Sequence, residues 1–250
     1  VSPELPSGAP FFLVESLPSA GPFVLDGPEG RHASVVRRMR IGEAMVLTSG
    51  DGRLAVATVT AVAKGSVQVL VGPVTLVAPP PVIVTLVQAL PKGERSELAV
   101  DLATEAGVDA LVPWAASRCV ARWTPAEKAA KGVQRWQTIA REAAKQSRRA
   151  VVPAVASMAS TADVAGLIAE SAGALVLHEA GSVLITDAVL PSAGNLLLVV
   201  GPEGGISPQE IDTFRAAGAQ VVRLGPEVLR TSTAAAVALG ALGVLSHRWV

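Results

Sequence analysis

Cysteine is almost absent. A single Cys119 excludes an internal disulfide and a cysteine-rich zinc site, and three histidines, His32, His178 and His247, are too few for a histidine-rich metal centre. Net charge is absent as well, since 21 basic side chains balance 21 acidic ones. No long apolar run exists. The stretch ending at Leu90 is broken by Pro79, Pro80 and Pro81, and the stretch over residues 234–245 falls short of a membrane span, which takes roughly 18 uninterrupted apolar residues. The first residues lack a basic segment followed by an apolar block, so no signal peptide is expected. What is present is a chain of 250 residues, half of them apolar and 17% charged, enough for a sizeable core. These features predict a soluble, cytoplasmic α/β protein of one large or two modest domains, without a metal.

The charge balance hides an uneven distribution. Residues 1–80 carry six acids and six bases, residues 81–117 five acids and two bases, residues 118–149 two acids and nine bases, and residues 150–250 eight acids and four bases. A basic excess of that size is a candidate polyanion surface. Arginine outnumbers lysine 16 to 5, which suits bidentate phosphate contacts. GC-rich coding accounts for an arginine excess equally well, but not for its clustering.

The period of the hydrophobic pattern changes along the chain. Residues 11–15, 44–48, 54–62 and 66–71 read as short strands separated by Gly or Asp turns. Residues 29–40 read as one helix, with Val35, Val36 and Met39 facing inward and Arg31, Arg37, Arg38 and Arg40 outward. Prolines 79–81 mark a linker, giving a β-rich domain over 1–76 and a second domain over 82–250. In the second domain, apolar strands at 82–87, 110–113, 174–177, 195–200 and 220–224 alternate with helices at 94–106, 125–149, 162–171, 208–217 and 231–247. That alternation predicts a mostly parallel sheet covered on both faces.

Ligands in such sheets bind beyond the carboxyl ends of the strands, and three strand-end loops qualify. The richest runs Val200-Gly201-Pro202-Glu203-Gly204-Gly205-Ile206, followed by Ser207, Pro208 and Glu210, which form a helix-starting capping box. The second runs from Leu224 to Ala234, and the third holds Leu177, His178 and Glu179. A tight strand-to-helix turn explains the glycines as well as a ligand does. His178 alone reads chiefly as a turn residue. The spacing is neither G-x-G-x-x-G nor a P-loop. On the helix over 125–149, Arg141, Lys145 and Arg148 share one face, and Glu142, Gln146 and Arg149 the next. A solvated face is the ordinary meaning of such a charge run.

In order and spacing, Leu86-Val87-Gln88-Ala89-Leu90-Pro91-Lys92-Gly93, Ala103–Val108, Glu142–Arg148, Gly201–Gly205 and Leu224–Thr231 resemble the 16S ribosomal RNA uracil-N3-methyltransferase family (the RsmE type), of the SPOUT or α/β-knot class. The resemblance implies a PUA-like β-barrel followed by a trefoil-knotted methyltransferase domain, and a homodimer with active sites at the subunit interface. It implies S-adenosylmethionine as cofactor, held by Leu177, His178, Glu179, Val200, Gly201, Gly204, Gly205, Ile206, Leu224, Gly225, Leu229, Arg230, Thr233 and Ala234. The implied partner is small-subunit ribosomal RNA in an assembled particle, met by Arg31, His32, Arg37, Arg38, Arg40, Arg118, Arg122, Lys145 and Arg149. The chain departs from the family pattern at Ser232, where glutamate is common, and at Glu227, where a basic residue is common.

Methylating uridine N3 requires an unstacked base, alignment, stabilisation of charge on O2 and O4, and a proton acceptor. Arg148 and Arg230 are the candidates for charge stabilisation or phosphate anchoring, and Glu142 or Glu203 for the proton. Three alternatives stand beside this one: a ribose 2′-O-methyltransferase of the same class, a non-catalytic RNA-binding adapter, and a nicotinamide oxidoreductase.

Overall fold

The computed structural model describes residues 5–249. The chain forms two compact units, one running to Pro79 and including Ala144–Val152, the other made of Pro80–Ala143 and the chain from Pro153 onward.

The first unit holds β1 (Phe11–Leu13), β2 (Gly21–Leu25), α1 (Gly27–Arg31), β3 (Ala44–Thr48), β4 (Arg53–Ala63) and β5 (Ser66–Leu76) in the sheet order β1-β3-β4-β5-β2. Val67, Val69 and Val71 of β5 alternate inward with outward Gln68 and Leu70, the two-residue period of a half-buried strand. Bulges between Ala55 and Ala57 and between Val59 and Ala61 bend β4. Residues 144–152 bind along this sheet, with Val152 N donating to Gly50 O at 2.8 Å and Thr48 Oγ1 to Ala150 O at 3.1 Å. β2 was not among the expected strands, and its Gly21 and Pro22 are poor strand formers.

The helix expected over 29–40 is present only as far as Val36, and not as one regular α-helix. α1 passes into one π-helical segment, His32–Val36, closed by Arg37 N donating to His32 O at 2.8 Å. Val35 and Val36 are 45% and 68% exposed, while Ala33 and Met39 are buried. The face turned inward is set by close approach: a Cβ on Gly30 would lie 2.4 Å from Leu25 O and 2.8 Å from Gly65 O, so Gly30 and Ala33 pack inward and both valines face out. Arg38, at φ 53°, ends the segment.

The second unit holds β6 (Val82–Ala89), α2 (Arg95–Glu105), β7 (Ala110–Trp114), most of α3 (Ala126–Gln146), β8 (Ala154–Val155), α4 (Thr161–Glu170), β9 (Gly173–Leu177), β10 (Val183–Leu184), β11 (Gly194–Val200), α5 (Pro208–Ala216), β12 (Gln220–Arg223) and α6 (Thr231–Leu245). Its seven strands run in the order β10-β12-β9-β11-β6-β7-β8, every neighbouring pair parallel. Val84, Leu86, Leu175, Val176, Leu196 and Leu198 are fully buried, as strands covered on both sides require. β8 and β10 are two residues each, too short to carry a pattern.

α3 stops earlier than expected. Arg148 adopts φ 56°, and Arg149 N turns back to Ala144 O at 2.8 Å, a helix-closing turn built on a left-handed residue. Arg148 and Arg149 therefore lie outside the helix and share no helical face with Arg141 or Glu142. Beyond α6, the Arg248 guanidinium pairs with Asp109 at 2.8 Å and donates to Gly107 O at 2.9 Å and to Val82 O.

Candidate active site

β12, β9 and β11 are neighbours and parallel, so their carboxyl ends open on one edge of the sheet. The loops leaving them enclose a cleft of about 510 Å³. Leu177, Val200, Ile206, Leu224 and Leu229 supply its apolar wall, and Arg95, Arg118, Arg223, Arg230, Glu179, Glu203 and Glu227 its charges.

The glycine loop is shaped by its own packing. Gly205 sits at φ 72°, where its N–H donates to Pro202 O at 2.9 Å. A Cβ on Gly201 would stand 2.5 Å from Cγ1 of the buried Ile206, and one on Gly204 would stand 3.2 Å from the Cβ and carbonyl oxygen of Arg118. Arg118 Nη1 also donates to Gly204 O at 3.2 Å. The expected capping box is present at the start of α5.

Glu210 of that box does more than cap. It is 4% exposed and accepts five hydrogen bonds, from Ser117 N and Oγ, Ser207 N and Oγ, and Thr161 Oγ1. Burial alone raises a carboxyl pKa, but the amides of Ser117 and Ser207 and then their hydroxyls outweigh it, so Glu210 titrates below its ordinary 4.5. The β7 loop and the glycine loop are thus tied to one buried anion. Glu203, by contrast, faces the cleft. Its Oε1 accepts from Lys92 N at 3.2 Å and lies 3.8 Å from Arg95 Nη1.

Of the residues assigned to the cofactor, all but Thr233 line the cleft, and Thr233 Oγ1 donates instead to Arg230 O at 3.2 Å. His178 is a turn residue, its Nδ1 accepting from Ala180 N at 3.1 Å. Arg230 reaches the cleft as N-cap of α6. Glu142 does not line it. It borders a separate depression of about 600 Å³ with Glu94, Glu97 and Asp101. Arg148 is exposed and belongs to the first unit. Ser232 is buried in the first turn of α6, while Glu227 lines the cleft.

Among the residues assigned to RNA, Arg31, Arg37, Arg38 and Arg40 are exposed. His32 packs edge-on to Phe12. Lys145 is buried rather than open: its Nζ lies 2.7 Å from Glu29 Oε1 and 3.1 Å from His32 Nδ1. Arg149 is half-buried, and Arg122 is exposed with Nη2 3.5 Å from Ser117 O. Arg95 and Arg223 were missed. Arg95 lies more than a hundred residues before the glycine loop, and only the β6–β11 pairing signals their proximity. Among the described residues, no cluster of His, Cys, Asp and Glu is placed to hold a metal, and no helix is long and apolar enough to cross a membrane.

A cleft at the carboxyl edge of a parallel sheet, in a chain that also carries a small β unit, matches the RNA methyltransferase class. A model of the RNA methyltransferase domain matches residues 78–243, and one of the RNA methyltransferase PUA domain matches residues 25–72. Ribosomal RNA small subunit methyltransferase E of Mycobacterium bovis is 52% identical, over 96% of this chain and 94% of that protein. The Bacillus subtilis protein of the same name is 33% identical, over 91% and 92%. The crystal structure of the Neisseria gonorrhoeae protein of that name, bound to S-adenosylmethionine, superposes with a TM-score of 0.81 at 29% identity, covering 95% of this chain and 98% of that one. The chain belongs to the RNA methyltransferase family, alongside these small-subunit methyltransferase E proteins.

Proposed function

We propose that this protein transfers a methyl group from S-adenosylmethionine to N3 of a uridine in small-subunit ribosomal RNA. The observation that carries the reading is the cleft. Its 510 Å³ suits a small ligand. Its aliphatic wall suits an adenine, Glu179 and Glu227 suit a cationic sulfonium and amine, and Arg118 and Arg223 suit a carboxylate or phosphate. The N. gonorrhoeae relative was crystallised with this cofactor, and the relatives are named for the small-subunit rRNA. The cofactor supplies an electrophilic methyl. The chain's own part is to bind, orient and deprotonate the uridine, and Arg230, at the cleft, is the charge-stabilising candidate. The choice of N3 follows the motif resemblance.

Further parts of the reading are a trefoil knot through α6, a PUA-like RNA-gripping role for residues 1–76, a cytoplasmic place of work and an assembled subunit as substrate. A homodimer is supported by α6. Ala235, Ala238, Leu239 and Leu242 bury one face of it, while Val237 and Val244 are 49% and 67% exposed. Glu142 and Arg148, absent from this cleft, would serve in a site shared between copies.

The test is mass spectrometry of digested small-subunit rRNA from a strain lacking the gene. One N3-methyluridine should vanish and return on complementation. Loss of a ribose 2′-O-methyl group instead would transfer the chain to that activity, and no change in any modified nucleoside would remove the enzymatic reading.

A further inference from the structure

Uracil shows two acceptors on its Watson–Crick edge, O2 and O4, with the N3–H donor between them. Cytosine shows a bare N3 and an amino donor in place of O4. A site that selects uridine therefore needs an acceptor opposite N3 and a donor beside it, aimed at a carbonyl oxygen. The cleft contains such a pair. Among the described residues, the hydrogen bond and ion pair of Glu203 both fall on Oε1, from Lys92 N at 3.2 Å and Arg95 Nη1 at 3.8 Å. The second carboxylate oxygen is left to meet a ligand. The Arg95 contact is longer than a hydrogen bond, and the Arg95 side chain is 49% exposed, so its donors are available.

We infer that Glu203 and Arg95 read the Watson–Crick edge of the target base, Glu203 accepting N3–H and Arg95 donating to the adjacent carbonyl oxygen. The inference rests on the uridine-N3 reading above. The step balances. The N3 proton passes to Oε2 of Glu203, the N3 electron pair forms the new N–CH₃ bond, and the pair of the broken C–S bond stays on sulfur. One negative charge on the carboxylate and one positive charge on the sulfonium disappear together. Arg95 holds the negative charge that gathers on the carbonyl oxygen as N3 loses its proton. The Lys92 amide is the positioning group, because it fixes Oε1 and so aims Oε2.

The test uses the full chain, S-adenosylhomocysteine or S-adenosylmethionine, and RNA fragments carrying uridine or cytidine at the mapped target. With S-adenosylhomocysteine, the wild type should bind the uridine fragment more tightly. Glu203→Gln, whose amide can donate to a bare N3, should cut that preference about tenfold or more. In single turnover, Glu203→Gln should fall about 100-fold at neutral pH and recover as pH rises toward the ionisation of N3–H. Arg95→Ala should slow turnover with S-adenosylmethionine affinity unchanged, and Arg95→Lys should restore part of the rate. A Glu203→Gln variant that keeps both the uridine preference and the wild-type pH profile overturns the inference. So does one whose losses track lost cofactor affinity and melting temperature, which marks a structural role. A wild type that methylates some other atom sinks the uridine-N3 reading itself, a separate and distinguishable failure.

Discussion

Glu210 is the residue where electrostatics and packing meet most directly. Its carboxylate is held ionised by donors from two loops and α4, and its folded pKa lies below the unfolded value near 4.5. A depressed carboxylate adds stability that is fully present above the unfolded pKa and is lost as pH falls through the folded one. Glu210→Gln should therefore lower the melting temperature at neutral pH, by roughly 1–3 kcal/mol of stability, and flatten the stability curve below about pH 4.5. Melting the two proteins across an acid series checks this, and parallel curves would dismiss the charge as the cause. The glycines divide by the same logic. Gly205→Ala forces a side chain to φ 72°, at a cost of roughly 1–2 kcal/mol whether or not a ligand binds. Gly225 lines the cleft, lacks a positive φ, and a Cβ there has only Glu227 Oε2 near it, at 3.5 Å. Gly225→Val should leave the melting temperature nearly unchanged while weakening S-adenosylmethionine binding in calorimetry. Wild-type affinity in a folded Gly225→Val protein would remove that loop from the cofactor site.

At the scale of elements, α6 shows what a sequence pattern carries and what it omits. Its apolar composition is plain in the sequence, and its start at Thr231 matches the expected helix. Its end does not match, because the chain stops being helical after Leu245 and folds back. There a Cβ on Gly243 would lie 2.4 Å from the indole of Trp249. Composition gave no hint that Gly243 is the floor for an aromatic ring. Gly243→Ala should displace the Trp249 indole, which is 58% exposed. The small cost of moving it is set against the roughly 1 kcal/mol by which alanine favours a helix interior, so the denaturant midpoint should change little, and a double-mutant cycle with Trp249→Ala should show the coupling. The five longer strands of the second unit were legible because largely apolar runs such as residues 195–200 admit little else, whereas β8 and β10 were not. The strand-end loops of the cleft were legible because parallel sheets dispose them on one edge. The inward face of the segment after α1 was not, since it is set by Gly30 lying against Leu25 O and Gly65 O, a packing contact with no local period. Arg95 was missed and Lys145 misplaced because their surroundings come from distant parts of the chain. A charge reads as exposed until the partner that buries or recruits it is known.

For the whole molecule the question is which cations meet RNA. Of the nine bases over residues 118–149, Lys145 is buried and Arg149 half-buried, while the other seven are exposed. Lys145 is buried against Glu29, Arg135 is paired with Glu97, and Arg118 donates to Gly204 O. Arg31, Arg37, Arg38 and Arg40 are exposed, within or beside the stretch that matches the PUA model. Each phosphate contact steepens the fall of log affinity with log salt by about 0.7–0.9. Replacing Arg37, Arg38 and Arg40 together with alanine should weaken rRNA binding and reduce that slope by about two to three, with S-adenosylmethionine affinity unchanged. Lys145→Ala should behave differently. It strands Glu29 in a half-buried site, where Oε2 already lacks a partner, so it should lower the melting temperature while leaving the salt slope near wild type. Binding isotherms at several salt concentrations, run beside thermal melts, separate the two. If Lys145→Ala reduced the slope and the triple replacement did not, the phosphate contacts would belong to the end of α3, and the arginines after α1 would have to be assigned to something other than RNA.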